Sequence, residues 1–363
     1  YLPDRVNVLS SSSGKNEPDI LLQYETMNLD VDSKEINILI QRGENEQAYR
    51  KLFVAQCNNL NKVLPTLFEK INDYTELLLP DYLLDSEFII SKLVSNKELT
   101  ESFNEVEVIG WLYQYYNTEP KDAVFAKLRK NKKAEKNEIP AATQFFTPKW
   151  IVQYMVENSL GQLWLEANPN SEIKKSLKYY IEPTTQAEEV KMKLEEIKYK
   201  SINLEEITII DPCVGSGHIL VYAFDLLYKM YEEAGYLRRD IPKLILEKNL
   251  YGLDIDERAT QLASFALMMK AREKSRRIFK QDVQLNIFAI QESNGLEAEE
   301  FKSLFAENPQ EKEEIDSLID LYKNAKNFGS ILIPPKIEYK KYISRIDSIG
   351  EVQVSLELLN AYN

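Results

Sequence analysis

The pattern of apolar positions divides the chain into a helical first part and an alternating second part. Between residues 46 and 117 apolar residues recur at helical spacing, as Leu60, Val63 and Leu64 illustrate. This spacing predicts a small helical bundle, in which we find no catalytic constellation. After Thr143 short β-branched runs alternate with helical stretches, which indicates strands covered by helices.

The second part predicts an α/β fold with a Rossmann-like sheet. Short apolar runs at residues 207–210, 250–256 and 286–290 predict three strands, and the helical stretches between them predict that these strands are parallel. The expected organisation is an α-helical domain over residues 1–138, followed by the α/β domain over residues 139–363.

Composition and charge restrict the partners of the chain. With 45 Lys and Arg against 58 Asp and Glu the net charge is −13, which disfavours a stand-alone DNA clamp. A basic tract near residues 121–136 is interpreted as a solvated linker, with a phosphate-backbone contact as the alternative. Two distant cysteines, Cys57 and Cys213, fit a cytoplasmic protein and no metal site. The sequence has no apolar run of membrane-spanning length and no signal-peptide pattern.

A glycine turn at Asp211–His218 joins the first predicted strand to a helix, which is where open α/β sheets bind ligands. A phosphate-binding loop would need G-x-x-x-x-G-K-S/T, and counting from Gly215 places Leu220 at its second glycine. A dinucleotide loop would need G-x-G-x-x-G, and Leu220 again occupies the last glycine position. A dinucleotide-dependent oxidoreductase is therefore a disfavoured alternative.

S-adenosylmethionine fits the turn better, because this ligand carries no pyrophosphate and needs no third glycine. It needs an acid for its amino group, a turn that allows close approach, and a second acid for its ribose. Asp211, the turn Gly215–Gly217 and Asp254 supply these in order. Ile255 follows the second acid and is placed to pack on the adenine ring.

Several residues near the turn also have ordinary structural interpretations. Cys213 is interpreted as a small packing residue, because no base lies within its sequence neighbourhood to activate it. His218 starts a helix and is assigned equally to a structural role or a cofactor contact. Asp256 is expected to cap the next helix. Trp111 and Trp150 are expected to be core aromatics.

Four stretches resemble the PglX-type adenine-specific DNA methyltransferases of BREX phage-defence systems, which are related to Type I and IIG restriction-modification enzymes. The stretches are Gly110–Asn117, Ala142–Val152, Asp211–Gly217 and Tyr251–Ala259. The resemblance implies methyl transfer from S-adenosylmethionine to the exocyclic amino group of an adenine that is flipped out of double-stranded DNA. It also implies other phage-defence subunits as possible partners and no membrane association.

The resemblance further implies which residues bind the cofactor. Thr147 and Asp211 would bind its methionine end, and Gln291 would bind its adenine amino group. The implied cofactor-binding residues are Phe146, Thr147, Pro148, Asp211, Cys213, Gly215, Ser216, Gly217, Asp254, Ile255 and Gln291. The catalytic Asn-Pro-Pro-Tyr of this family is absent from the sequence. We therefore expect a fragment that ends before this motif and is inactive alone, or alternatively a non-catalytic module that binds cofactor or a partner.

Overall fold

A computed structural model describes residues 6–12, 17–65, 68, 78–103, 105–135, 138–143, 147–296 and 298–349. The helices of the first part are α1 Ile20–Gln23, α2 Ser33–Gln41, α3 Asn45–Asn61, α4 Ile89–Ser95, α5 Lys97–Ser102, α6 Val108–Tyr116, α7 Thr118–Leu128 and α8 Ile139–Thr143. The elements that follow are α9 Lys149–Val156, α10 Gln162–Ala167, α11 Glu188–Ile197, β1 Ile209–Asp211, α12 His218–Glu233, α13 Ile241–Leu244, β2 Leu250–Asp254, α14 Glu257–Lys274, β3 Asn286–Ala289, α15 Ala298–Phe305, α16 Pro309–Tyr322, α17 Ala325–Phe328 and α18 Tyr339–Ile349. Within the described ranges no helix is long and apolar enough to cross a membrane.

The first three helices enclose an apolar core of their own. Ile20, Tyr49 and Leu52 are fully buried there, and the Tyr49 hydroxyl donates to the Val8 carbonyl oxygen at 3.0 Å. Helix α3 ends at Asn61, so Val63 and Leu64 of the predicted helical face lie beyond it, where the chain closes a turn and Leu64 joins a second core. Leu67 and Ile71 of the same predicted face lie outside the described residues.

The basic tract is partly helical. Helix α7 includes residues 121–128, and Lys127 pairs with Glu138 across the segment that follows. The linker expected from residue 121 onward therefore begins only after Leu128, because the apolar side chain of Val124 is buried and holds this part as a helix.

The sheet consists of three parallel strands in the order β1-β2-β3. Asp211 lies opposite Gly252, and Leu253 lies opposite Phe288, so the carboxyl ends of the strands share one edge. Strand β1 begins two residues later than predicted and ends one residue later, at Asp211. The carbonyl oxygen of Ile207 accepts from the Asn249 side chain instead of joining the sheet. The protein described here is mostly helical with this small parallel sheet.

Helices α12 and α14 cover the sheet and form the second core. The apolar stripe of α12 is fully buried, as Leu220, Phe224, Leu227 and Tyr231 show. Asp256 caps α14 as predicted, since its Oδ1 accepts from the backbone N–H of Arg258 at 3.0 Å. These helices position the loops that follow β1 and β2.

Asn249 connects the start of β2 to β1 and α12, and its removal is expected to destabilise the protein. Its buried amide donates to the carbonyl oxygens of Leu204 and Ile207, both at 2.7 Å, and accepts from the Tyr231 hydroxyl at 3.0 Å. Because these buried groups would lose their partners, Asn249→Ala should lower the free energy of unfolding by about 3 kcal/mol. Chemical denaturation measures this loss.

Tyr231→Phe is the matched variant, because it removes a single hydrogen bond from the same cluster. It should cost only about 1 kcal/mol. Equal losses in the two variants would show that the bonds from Asn249 to the backbone contribute nothing measurable.

Candidate cofactor site at the carboxyl ends of the strands

A cleft of about 280 Å³ opens where β1 and β2 end. One side is formed by the loop after β1, with Cys213 and Gly215, and by Asp254 and Ile255 at the end of β2. Residues 326–330 also border the cleft. This volume lies near the lower limit of small-molecule sites, which are roughly 300–1,000 Å³.

Asp254 is fixed by the backbone around it. Its Oδ2 accepts from the N–H of Gly215 and its Oδ1 from the N–H of Asp256, each at 2.9 Å. These bonds join the glycine turn to the end of β2. A carboxylate has about four acceptor positions, so each oxygen can still accept a bond from a ligand hydroxyl. Burial raises the pKa of Asp254, although the backbone N–H groups oppose this.

Asp211 ends β1 and is a buried acid, whereas Asp254 is half-buried. Its Oδ1 accepts from the N–H of Cys213 at 3.1 Å. Burial raises the pKa of Asp211, and the negative charge of Asp254 adds to this. Two carboxylates held close together in a poorly solvated site favour a cationic ligand. Across the described residues no group of three or more His, Cys, Asp or Glu could hold a metal ion.

Ser216 places an unsatisfied hydroxyl beside Asp211. The residue is only 4% exposed, and its Oγ has no hydrogen-bond partner in the part of the chain that the structure describes. It borders a small cavity of about 30 Å³ together with Thr147, Asp211 and Gly215. Such a space holds one or two water-sized groups. A buried hydroxyl without a partner is costly, so a polar end group of a ligand would stabilise this site.

Helix α6 lies directly on the glycine turn. A Cβ atom at Gly110 would come within 2.4 Å of the Ser216 Oγ, so only glycine allows this approach. Further along the helix, the Tyr113 hydroxyl donates to Asp256 Oδ2 at 2.8 Å. Residues far apart in the sequence therefore meet around one site.

The structure brings most of the predicted cofactor residues together, but not all of them. Residues that border the cleft or the small cavity are Thr147, Asp211, Cys213, Gly215, Ser216, Asp254 and Ile255. Gly217 starts α12 behind the turn with a φ of 85°. Pro148 is exposed and borders a larger neighbouring cavity, whereas Gln291 is exposed and does not border the cleft. Phe146 lies outside the described residues.

Three structural interpretations from the sequence are wrong. Cys213 is exposed, because it borders the cleft instead of packing in the core. Trp111 and Trp150 are 52% and 57% exposed, because helices α6 and α9 turn other side chains, such as Val152, toward the core. His218 is half-buried beside the small cavity, where burial lowers its pKa.

The sequence gives little sign of the other residues that border the cleft. Ile139 and Thr143 reach it from α8, and residues 326–330 reach it from beyond β3. The short sequence Phe328-Gly329-Ser330 contains a glycine, but one glycine is too common to mark a binding site.

The raised pKa of Asp211 predicts how stability depends on pH. As the pH rises above the ordinary value of 3.8, the unfolded chain loses this proton before the folded protein does. Folding therefore becomes less favourable until the pH exceeds the folded-state pKa. Asp211→Asn should be more stable than the wild type near neutral pH, with no gain near pH 3. Thermal denaturation across this range measures the difference.

Asp282→Asn is the control, because Asp282 is an exposed acid outside the cleft. It should leave the pH profile unchanged. A constant difference between Asp211→Asn and the wild type at every pH would contradict the electrostatic explanation.

Comparison with known proteins identifies relatives of the chain. Residues 184–315, which include β1 to β3, match the family described as MmeI, DNA-methyltransferase domain. The chain is 39% identical over 387 aligned positions to the adenine-specific methyltransferase PglX of Lacticaseibacillus casei (strain Zhang), across 100% of the chain. It is 48% identical over 258 positions to the adenine-specific methyltransferase BrxX of Escherichia coli O9:H4 (strain HS), across 71% of the chain. The chain is homologous to adenine-specific methyltransferases. This confirms the resemblance predicted from the sequence.

The homology covers only part of these larger proteins. The alignments span 31% of PglX and 21% of BrxX. A shorter match, 39% identical over 72 residues, covers 18% of the chain and 6% of a putative type II restriction enzyme and methyltransferase of Methanocaldococcus jannaschii.

Proposed function

We propose that this chain is the cofactor-binding part of an S-adenosylmethionine-dependent DNA adenine methyltransferase of a phage-defence system. The observation that carries the proposal is the pair of carboxylates that adjoin the glycine turn, the buried Asp211 and the half-buried Asp254. Homology to adenine-specific methyltransferases supports it independently. We also propose that the three-stranded sheet is part of a Rossmann-like methyltransferase fold.

The chemistry of the site fits the cofactor. Asp211 would accept from the ammonium group of the methionine end, and the Ser216 hydroxyl would donate to its carboxylate. Thr147 borders the same small cavity and would contact this end as well. The two acids also favour the positive charge of the sulfonium group through space.

The other end of the cofactor would occupy the cleft. Asp254 would accept hydrogen bonds from the ribose hydroxyls with the acceptor positions that the backbone leaves open. Ile255 would contact the adenine ring. The cofactor supplies a methyl group that is activated by the positive sulfur, while the residues named here bind and orient it.

The residue that presents the target adenine is not assigned within this sequence, which contains no Asn-Pro-Pro-Tyr. The relatives are three to five times as long as the aligned region, and we propose that the remainder of the whole protein supplies this residue and most DNA contacts. The net charge of −13 is consistent with a DNA-binding surface that lies mainly in the remainder of the whole protein. Double-stranded DNA and other defence subunits are the proposed partners.

A methyl-transfer assay tests the proposal. The whole protein that contains this sequence would be incubated with methyl-labelled S-adenosylmethionine and DNA, with and without its defence partners. We expect label in N6-methyladenine after digestion of the DNA to nucleosides. Label in methylcytosine would contradict the proposed substrate, and cofactor binding without transfer to any DNA would favour the non-catalytic alternative.

A further inference from the structure

Part of the cleft lining comes from a segment that none of the predicted site residues belongs to. Helix α17 and the single turn Gly329–Ile331 follow the third strand by more than thirty residues, yet they return to the ends of β1 and β2. Ser330 Oγ lies 3.8 Å from Cys213 Sγ. We call residues 325–331 the outer wall of the cleft.

The outer wall is attached to the sheet by hydrogen bonds. The N–H of Lys326 donates to Glu292 Oε1 at 3.3 Å, just beyond β3. The buried Ser293 donates its hydroxyl to the Ile319 carbonyl oxygen at 2.5 Å and its N–H to the Tyr322 carbonyl oxygen at 3.2 Å. These bonds hold the end of α16, and so the start of the outer wall, at a fixed place relative to the strands.

The outer wall approaches Ile255 closely. Gly329 has a φ of 54°, and a Cβ atom there would lie 3.4 Å from the Ile255 Cγ2. The preceding residue, Phe328, also borders the cleft but is 53% exposed. A ligand in the cleft would cover more of the Phe328 side chain. The burial of this apolar surface would favour binding.

We propose that Phe328 stacks on the adenine ring of the cofactor in the cleft that it borders together with Ile255. This inference rests on the proposed function, because it assigns an additional residue to the same cofactor site. Ile255 follows the acid that would hold the ribose, and the adenine is bonded to the ribose. The phenyl ring has no hydrogen-bonding group, so it can contribute only through flat apolar contact. Purine rings provide this contact, and a stacked aromatic side chain holds them tightly.

The geometry also explains why the outer wall contributes to specificity. Phe328 and Ile255 border the cleft, whereas the small cavity proposed for the methionine end is bordered by Asp211 and Ser216. Phe328 should therefore influence the binding of any ligand that contains adenosine. Phe328 should not influence the binding of ligand groups that contact only Asp211 or Asp254.

The test compares Phe328→Ala with Ile331→Ala in the whole protein. Ile331 belongs to the same wall, is 73% exposed and does not border the cleft. Calorimetric titration with S-adenosylmethionine and with adenosine should show roughly ten- to hundredfold weaker binding of both ligands to Phe328→Ala. Ile331→Ala should bind like the wild type, and Phe328→Tyr should retain binding because the aromatic ring remains.

Hydrogen exchange of the wild-type protein provides a second readout that needs no variant to fold. Adenosine should slow exchange in residues 325–331. Wild-type affinity in Phe328→Ala, or no protection of the outer wall, would overturn the inference and leave the proposed cofactor site standing. If the wild-type protein binds neither ligand, both the inference and the proposed function are overturned.

Discussion

Replacement of Asp254 by alanine is expected to weaken binding of S-adenosylmethionine by about 1–3 kcal/mol, which is roughly ten- to hundredfold. The variant loses the acceptor proposed for the ribose. It also releases the N–H groups of Gly215 and Asp256, which the carboxylate holds at 2.9 Å in the folded protein. Both losses act on the same cleft, so the effect on affinity should be at least as large as that expected for Phe328→Ala. Calorimetric titration of the whole protein measures it.

Asp256→Asn is the matched control for this experiment. It removes a nearby negative charge but can still cap α14 through its amide oxygen, as the acid does for the N–H of Arg258. Asp256 is half-buried at the edge of the cleft, and the amide keeps the size of its side chain. The variant's affinity for the cofactor should therefore stay within about threefold of the wild type, which is less than about 1 kcal/mol. Unchanged affinity in Asp254→Ala would remove Asp254 from the proposed site.

Gly217→Ala is expected to destabilise the fold by about 2–4 kcal/mol. Gly217 has a φ of 85°, which L-residues adopt only at a cost, and a Cβ atom there would lie 3.1 Å from the Cα of Ala263 in α14. The backbone of a buried helix cannot move aside easily, so overpacking adds to the strain. Thermal and chemical denaturation measure the loss.

Gly235→Ala separates the two causes. Gly235 has the same φ of 85°, but a Cβ atom there would have nothing within 4 Å. Its substitution should cost only the conformational strain, about 1 kcal/mol. If both variants lose the same stability, the close approach of the glycine turn to α14 is not what requires glycine at this position.

The strands and the helices beside them can be predicted from the sequence because their signals are local. The stripe of Leu220, Phe224 and Leu227 predicts α12, and these residues are fully buried. Strand boundaries are less predictable. Ile207 is β-branched, which favours a strand. However, the side chain of Asn249 donates to its carbonyl oxygen, and β1 begins later.

The residues of the site also differ in how far they can be predicted from the sequence. Asp211, Gly215 and Asp254 lie next to predicted strand ends, and parallel strands bring such ends together. The contacts of Tyr113 with Asp256 and of Cys213 with Ser330 join residues 143 and 117 positions apart. No local pattern specifies such contacts, since they depend on how whole helices pack. The exposed position of Trp111 follows from this packing as well.

The most direct test of the central claim is a calorimetric titration of the whole protein with S-adenosylmethionine and, in parallel, with NAD. The two acids and the missing third glycine predict one S-adenosylmethionine bound per chain and no binding of NAD. Binding of NAD without binding of S-adenosylmethionine would contradict the assignment of this cleft.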